Sequence, residues 1–155
     1  MDYSFRNLKV YKLAYDLAMD IFEISKGFPK EEKYSLTDQI RRSSRSVCSN
    51  IAEAYRKRRY PKHFTSKSSD ADGEASETMV WIDFAFSCKY IDEEIKDKLL
   101  RKYEEVGKML GSMTNNRECS LNCVSFINSI FKVNKKLVNN NGPVSYAVFP
   151  SFLEV

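Results

Sequence analysis

With 155 residues, 43% of them hydrophobic and 30% charged, the chain has the make-up of one soluble globular domain with a real core and is too short for two domains of ordinary size. Its 5 Gly and 4 Pro leave few turns, which favours long helices over many short strands, and no apolar run approaches the ~18 residues of a membrane span. The net charge is only +4, but residues 41–67 hold nine basic side chains against one acid, a local charge of +8 that leaves −4 for the remainder. Charge segregated in this way faces a charged partner or a neighbouring subunit.

The first predicted helix begins after Asn7, read as its N-cap, and stops at Gly27, with Pro29 just beyond. Val10, Ala14, Leu17, Ile21 and Ile24 recur at steps of four and three and form one stripe. A second stripe, Tyr11, Tyr15, Ala18 and Phe22, lies about 100° away, and this reading gives it to another subunit. The second helix starts at Ser35, carries Asp38 in its first turn, and points Leu36, Ile40, Ser44, Val47, Ile51 and Tyr55 inward. Arg41, Arg42, Arg45 and Arg56 fall on the opposite side, centred about 140° from that seam.

A basic connector, Lys57-Arg58-Arg59-Tyr60, leads to Pro61, which suits the first position of a third helix because its missing N–H would be unpaired there. Phe64, Ser68, Ala71, Ala75, Thr78, Ile82 and Ala85 make its seam, flanked by an acidic stripe of Asp70, Glu74 and Glu77 and an aromatic edge of Trp81 and Phe84. Gly73 weakens this helix, and close approach by another backbone is the expected compensation. Asp92 caps a fourth helix with the stripe Leu99, Tyr103, Val106, Leu110 and Met113. The expected fold is all-α, an up-down-up-down antiparallel four-helix bundle over residues 1–116. A tail, 117–155, follows; Val124–Val138 can form one more helix, and Asn139 to Pro143 reads as a break.

Certain strings resemble a known family. Phe5-Arg6-Asn7-Leu8-Lys9-Val10-Tyr11-Lys12, Leu36-Thr37-Asp38-Gln39-Ile40-Arg41-Arg42-Ser43, Ser49-Asn50-Ile51-Ala52-Glu53-Ala54-Tyr55, Asp72-Gly73-Glu74-Ala75-Ser76-Glu77-Thr78 and Tyr103-Glu104-Glu105-Val106-Gly107 are similar to the bacterial 23S rRNA intervening-sequence proteins. The similarity spans roughly residues 3 to 116. It implies a helical bundle that assembles into a homo-oligomeric ring, commonly a pentamer, whose basic surface has nucleic acid as its suspected ligand. Cys48 stands where the family often has proline and Ala54 where it often has glycine, so the second helix is expected to be more continuous here.

Enzymatic readings find little support. A dinuclear metal site in a bundle uses paired Glu-x-x-His motifs, and the single histidine, His63, sits in the basic connector with no inward acid to orient it. Asp70, Glu74 and Glu77 read as an ion-pairing or solvated face rather than a cation site. Cys48, Cys88, Cys119 and Cys123 read as free thiols of a cytoplasmic protein, and no signal-peptide pattern opens the sequence. The expectation is therefore no catalysis, no cofactor and no small-molecule substrate. Two readings of Arg41, Arg42, Arg45, Arg56, Lys57, Arg58, Arg59 and Lys62 stay open: a grip on RNA or DNA phosphates, or a pairing face for the acidic stripe of a neighbouring subunit.

Overall fold

The computed structural model describes the backbone of residues 4–138 and the side chains of residues 4–115. Its contacts divide the chain into two units, residues 1–117 and 118–155. The first unit carries the helices and the core described below. Of the second, residues 118–138 are helical, and the expected break at Asn139 to Pro143 lies outside the described residues.

The fold is an all-α four-helix bundle: α1 is Lys9–Ile24, α2 Leu36–Arg56, α3 Pro61–Ser87 and α4 Glu93–Val138, with no strand among the described residues. Asn7 is not the cap of α1. It ends a 3₁₀ turn, Phe5–Asn7, whose own cap is Ser4, and Leu8 stands at the α1 N-cap with extended backbone and no side-chain bond. A leucine there is tolerated because the preceding turn already fixes the entry of the chain. Past Ile24 the helix tightens into a 3₁₀ turn, Ser25–Gly27, and Phe28 then folds into the core.

Ser35 likewise supplies no capping bond to α2. Its hydroxyl donates to the Glu32 carboxylate, which also accepts the Leu36 N–H at 3.4 Å and the Tyr90 hydroxyl at 3.2 Å. Glu32 thus does the capping, and these bonds, Ser35 first, hold its carboxyl below the usual range. α2 runs unbroken through Cys48 and Ala54. Ala54, not Tyr55, continues the buried seam, and the hydroxyls of Ser43 and Ser44 are buried with it.

All seven residues of the α3 seam are buried, and Pro61 occupies its first turn as its sequence position indicates. Gly73 departs from expectation: a Cβ there would meet nothing within 4 Å, so no neighbouring backbone explains it. The close approach is at Gly107 on α4, where a Cβ would lie 3.1 Å from an Asp72 carboxylate oxygen on α3. Between α3 and α4 the chain turns through Lys89, the one described non-glycine residue with left-handed backbone (φ 62°). The N–H of Tyr90 reaches back to the Ala85 carbonyl and that of Lys89 to Phe86, which closes the end of α3.

The Asp92 carboxylate accepts the Ile95 N–H at 2.8 Å and caps α4. Leu99, Tyr103, Val106 and Leu110 bring α4 into one core with Val10, Leu17 and Ile21 of α1, Val47 and Ile51 of α2, and Ile82 of α3. Instead of stopping near Met113, α4 continues to Val138, since no proline or glycine pair interrupts the sequence before Gly142.

Candidate nucleic-acid interface

The eight basic residues singled out from the sequence lie on α2, in the connector after it and, for Lys62, in the first turn of α3, and they do not form a uniform stripe. Arg41 and Arg42 are neighbours in sequence, so about 100° of helix rotation separates them. Arg41 turns toward α1, where its Nε donates to the Ser25 hydroxyl at 2.6 Å and its guanidinium lies 5.0 Å from the Phe22 ring centre. Arg45, one turn on, reaches the same ring at 5.8 Å. Arg42 is exposed on the α3 side, where its charge favours the ionised form of Glu74.

Eleven residues, about 16 Å of helix, separate Arg45 from Arg56. There the second cluster begins. Arg56, Arg59 and Lys62 are exposed, and the Arg58 guanidinium folds over the Tyr55 ring at 4.2 Å while its Nη1 donates to the Tyr55 carbonyl at 2.9 Å. Tyr60 stands 64% exposed amid these cations, edge-on to His63 with ring centres 6.0 Å apart.

Not every cation in the segment is available. Lys57 and Lys67 both meet the Glu53 carboxylate at 3.4 Å, and Lys67 also meets Asp70 at 3.1 Å. Hydrogen bonds from Lys57 and then Lys67 hold the Glu53 carboxyl below its ordinary range. Among the described residues Arg41, Arg42, Arg45, Arg56, Arg58, Arg59 and Lys62 make no ion pair.

The acidic stripe of α3 is engaged only in part within the chain. Asp70 holds Lys67, Glu77 accepts the Trp81 indole N–H at 3.1 Å, and Glu74 is half-buried. Partial burial raises the Glu74 carboxyl above its usual range, the like charges of Glu77 and Asp70 add to the rise, and Arg42 opposes it. Phe22 and Ser25, which brace Arg41, were not legible as site residues; the nearest signal is that the C-terminal turn of α1 puts Phe22 one turn before Lys26. Among the described residues no group of three or more His, Cys, Asp or Glu is placed to hold a metal ion, and no helix is long and apolar enough to cross a membrane.

The aromatic edge of α3 has a different character. Trp81, Phe84 and Cys88 face Leu36 and Gln39 of α2 across an open, mostly apolar cavity of about 350 Å³, and Val80 and Phe84 are each 51% exposed. On α1, Tyr15 and Met19 are exposed in the same manner.

Among solved structures, a protein of unknown function from the S23 ribosomal protein family of Bacteroides thetaiotaomicron VPI-5482, determined at 1.70 Å, is similar at 28% identity and a TM-score of 0.62, over 68% of this chain and 95% of that one. No curated protein matches. The sequence model of the 23S rRNA-intervening sequence proteins matches residues 6–112, well over half of the chain, and the chain belongs to that family.

Proposed function

We propose that this chain is a non-enzymatic, cytoplasmic, oligomeric binding protein that holds RNA or DNA on the basic face of α2 and the connector, with little regard to sequence. The observation that carries this reading is an imbalance. Seven basic side chains of that face make no ion pair among the described residues, whereas the acidic stripe of α3 holds only three carboxylates, of which Asp70 already meets Lys67, so pairing with a neighbouring subunit's stripe would leave an excess of positive charge. Unpaired arginine forks next to exposed tyrosine suit phosphates and unpaired bases. Assembly into a homo-oligomer is supported separately by the exposed apolar edges of α1 and α3, and a pentameric ring by the family resemblance alone.

The test is binding to a mixed RNA pool across a salt series, with oligomer mass measured on the same samples. Affinity should fall with a log–log slope of about −0.7 to −0.9 per phosphate neutralised. An R41Q/R45Q/R56Q variant should flatten that slope with its oligomer intact. A variant that splits the oligomer, from a wild type that ignores RNA, would show instead that the arginines are an assembly face.

A further inference from the structure

The end of α1 and the first half of α2 gather three cations around one aromatic ring. Lys26 Nζ, the Arg41 guanidinium and the Arg45 guanidinium lie 4.7, 5.0 and 5.8 Å from the centre of the half-buried Phe22 ring. Lys26 is neutralised by Glu23 at 2.7 Å. The two arginines are not: they stand four residues apart on one face of α2, a spacing at which like charges repel, with no acid partner among the described residues. Ser25, only 3% exposed, gives its own proton to the Phe22 carbonyl at 3.1 Å and accepts from Arg41 Nε at 2.6 Å. That bond fixes the guanidinium through its inner nitrogen and leaves both Nη groups without a bond to any described residue.

We infer that Arg41 and Arg45, braced on Phe22 and Ser25, form a discrete phosphate-oxyanion site, distinct from the connector cluster, which seats a backbone phosphate of a bound nucleic-acid strand. The ring and the serine hold the Arg41 fork in place before any anion arrives and the ring draws the exposed Arg45 beside it, so less side-chain freedom is lost when an anion binds. A phosphodiester, with its single negative charge shared between the forks, offsets the repulsion that the fold otherwise tolerates. This inference rests on the nucleic-acid reading above for the source of the phosphate, but not for the site itself.

Two measurements on the full chain separate the site from its source. The first is the thermal midpoint in inorganic pyrophosphate against sodium chloride of matched ionic strength, for the wild type, R41Q, R45Q and a connector variant, R58Q/R59Q/K62Q. The wild type and the connector variant should melt higher in pyrophosphate, and both single variants should lose the shift. R45Q breaks no side-chain hydrogen bond among the described residues, so it stays informative even if R41Q is destabilised. The second is the salt slope of RNA-pool binding, which R45Q should reduce by about 0.7 to 0.9. No pyrophosphate shift in the wild type, a shift retained in both single variants, or one lost only in the connector variant would overturn the site. RNA binding whose slope ignores R45Q overturns the inference and leaves the connector as the nucleic-acid contact. A pyrophosphate shift lost in R45Q, in a protein that binds no RNA at any salt, supports the site with a free phosphate compound as its source and removes the nucleic-acid reading.

Discussion

The polar contact at the centre of the bundle allows its contribution to be isolated. Thr78 and Ser43 are both fully buried, on α3 and α2, with their hydroxyl oxygens 2.9 Å apart, and the Thr78 hydroxyl also lies 2.8 Å from the Glu74 carbonyl of its own helix. Thr78→Val keeps the shape and removes the hydroxyl, which leaves Ser43 with only a long bond of 3.4 Å to the Ile40 carbonyl. A buried hydroxyl stripped of its better partner costs about 1–2 kcal/mol. Ser43→Ala leaves the Thr78 hydroxyl its helical carbonyl, so its cost is smaller, about 0.5–1 kcal/mol, and the helix propensity of alanine offsets part of that. The double variant strands neither hydroxyl and should be no less stable than Thr78→Val alone, a coupling of roughly 1 kcal/mol. Urea unfolding followed by far-UV circular dichroism, with equal m-values across the four proteins, measures this cycle. Single effects that add to within ~0.3 kcal/mol would refute the claim that these two hydroxyls lock α2 against α3.

Ile82→Ala, at a site with no solvent exposure, should cost about 2–5 kcal/mol in the same assay, and a smaller loss would mean that the centre of the bundle collapses around the gap. Glu53 has a depressed carboxyl pKa in the folded chain, so its contribution is present above the ordinary value of 4.5 and is lost as pH falls below that through the lower folded value. Glu53→Gln should therefore flatten the stability profile on that acid limb and, by releasing Lys57 while Asp70 keeps Lys67, steepen the salt dependence of RNA binding; an unchanged profile on both counts would contradict the pairing. Burial pushes the Cys48 thiol up to about 11 while Cys88 is exposed, so iodoacetamide at mildly alkaline pH should modify Cys88 well before Cys48, as peptide mapping would show. A chain ending at Asn116 should keep a cooperative melt, because it retains every buried core residue among the described residues, Leu110 the last of them.

Periodicity made the helices legible because burial in a bundle follows the 3.6-residue repeat directly. The α3 seam shows this best: Phe64 through Ala85 recur at steps of three and four, and all seven are buried. What periodicity does not encode is which neighbour a residue meets. Tyr55 and Ala54 are adjacent in sequence, and it is Ala54 that is buried while Tyr55 is half-buried. Gly73 and Gly107 are indistinguishable as letters, but only Gly107 faces a side chain from another helix. Helix ends were the least readable, because the Glu32 cap and the Ser4 turn depend on short-range geometry that Ser35 and Asn7 imitate in sequence. At the candidate site, sequence placed the arginines on the outer side of α2. It missed their division between α1 and α3, since a single helix projection contains no other helices.

The left-handed turn at Lys89 bears on how fast the bundle forms. It joins α3 to α4 across only a few residues, and the α2–α3 connection is also short, so many native contacts are local in sequence and the chain should fold in the microsecond-to-millisecond range. Lys89 works against that speed, because a lysine enters left-handed backbone at a cost of about 1 kcal/mol that glycine avoids. The effect of Lys89→Gly on the two arms of a chevron therefore times the turn. Faster folding means that the α3–α4 connection is closed before the barrier, and slower unfolding means that it closes only after the helices have met.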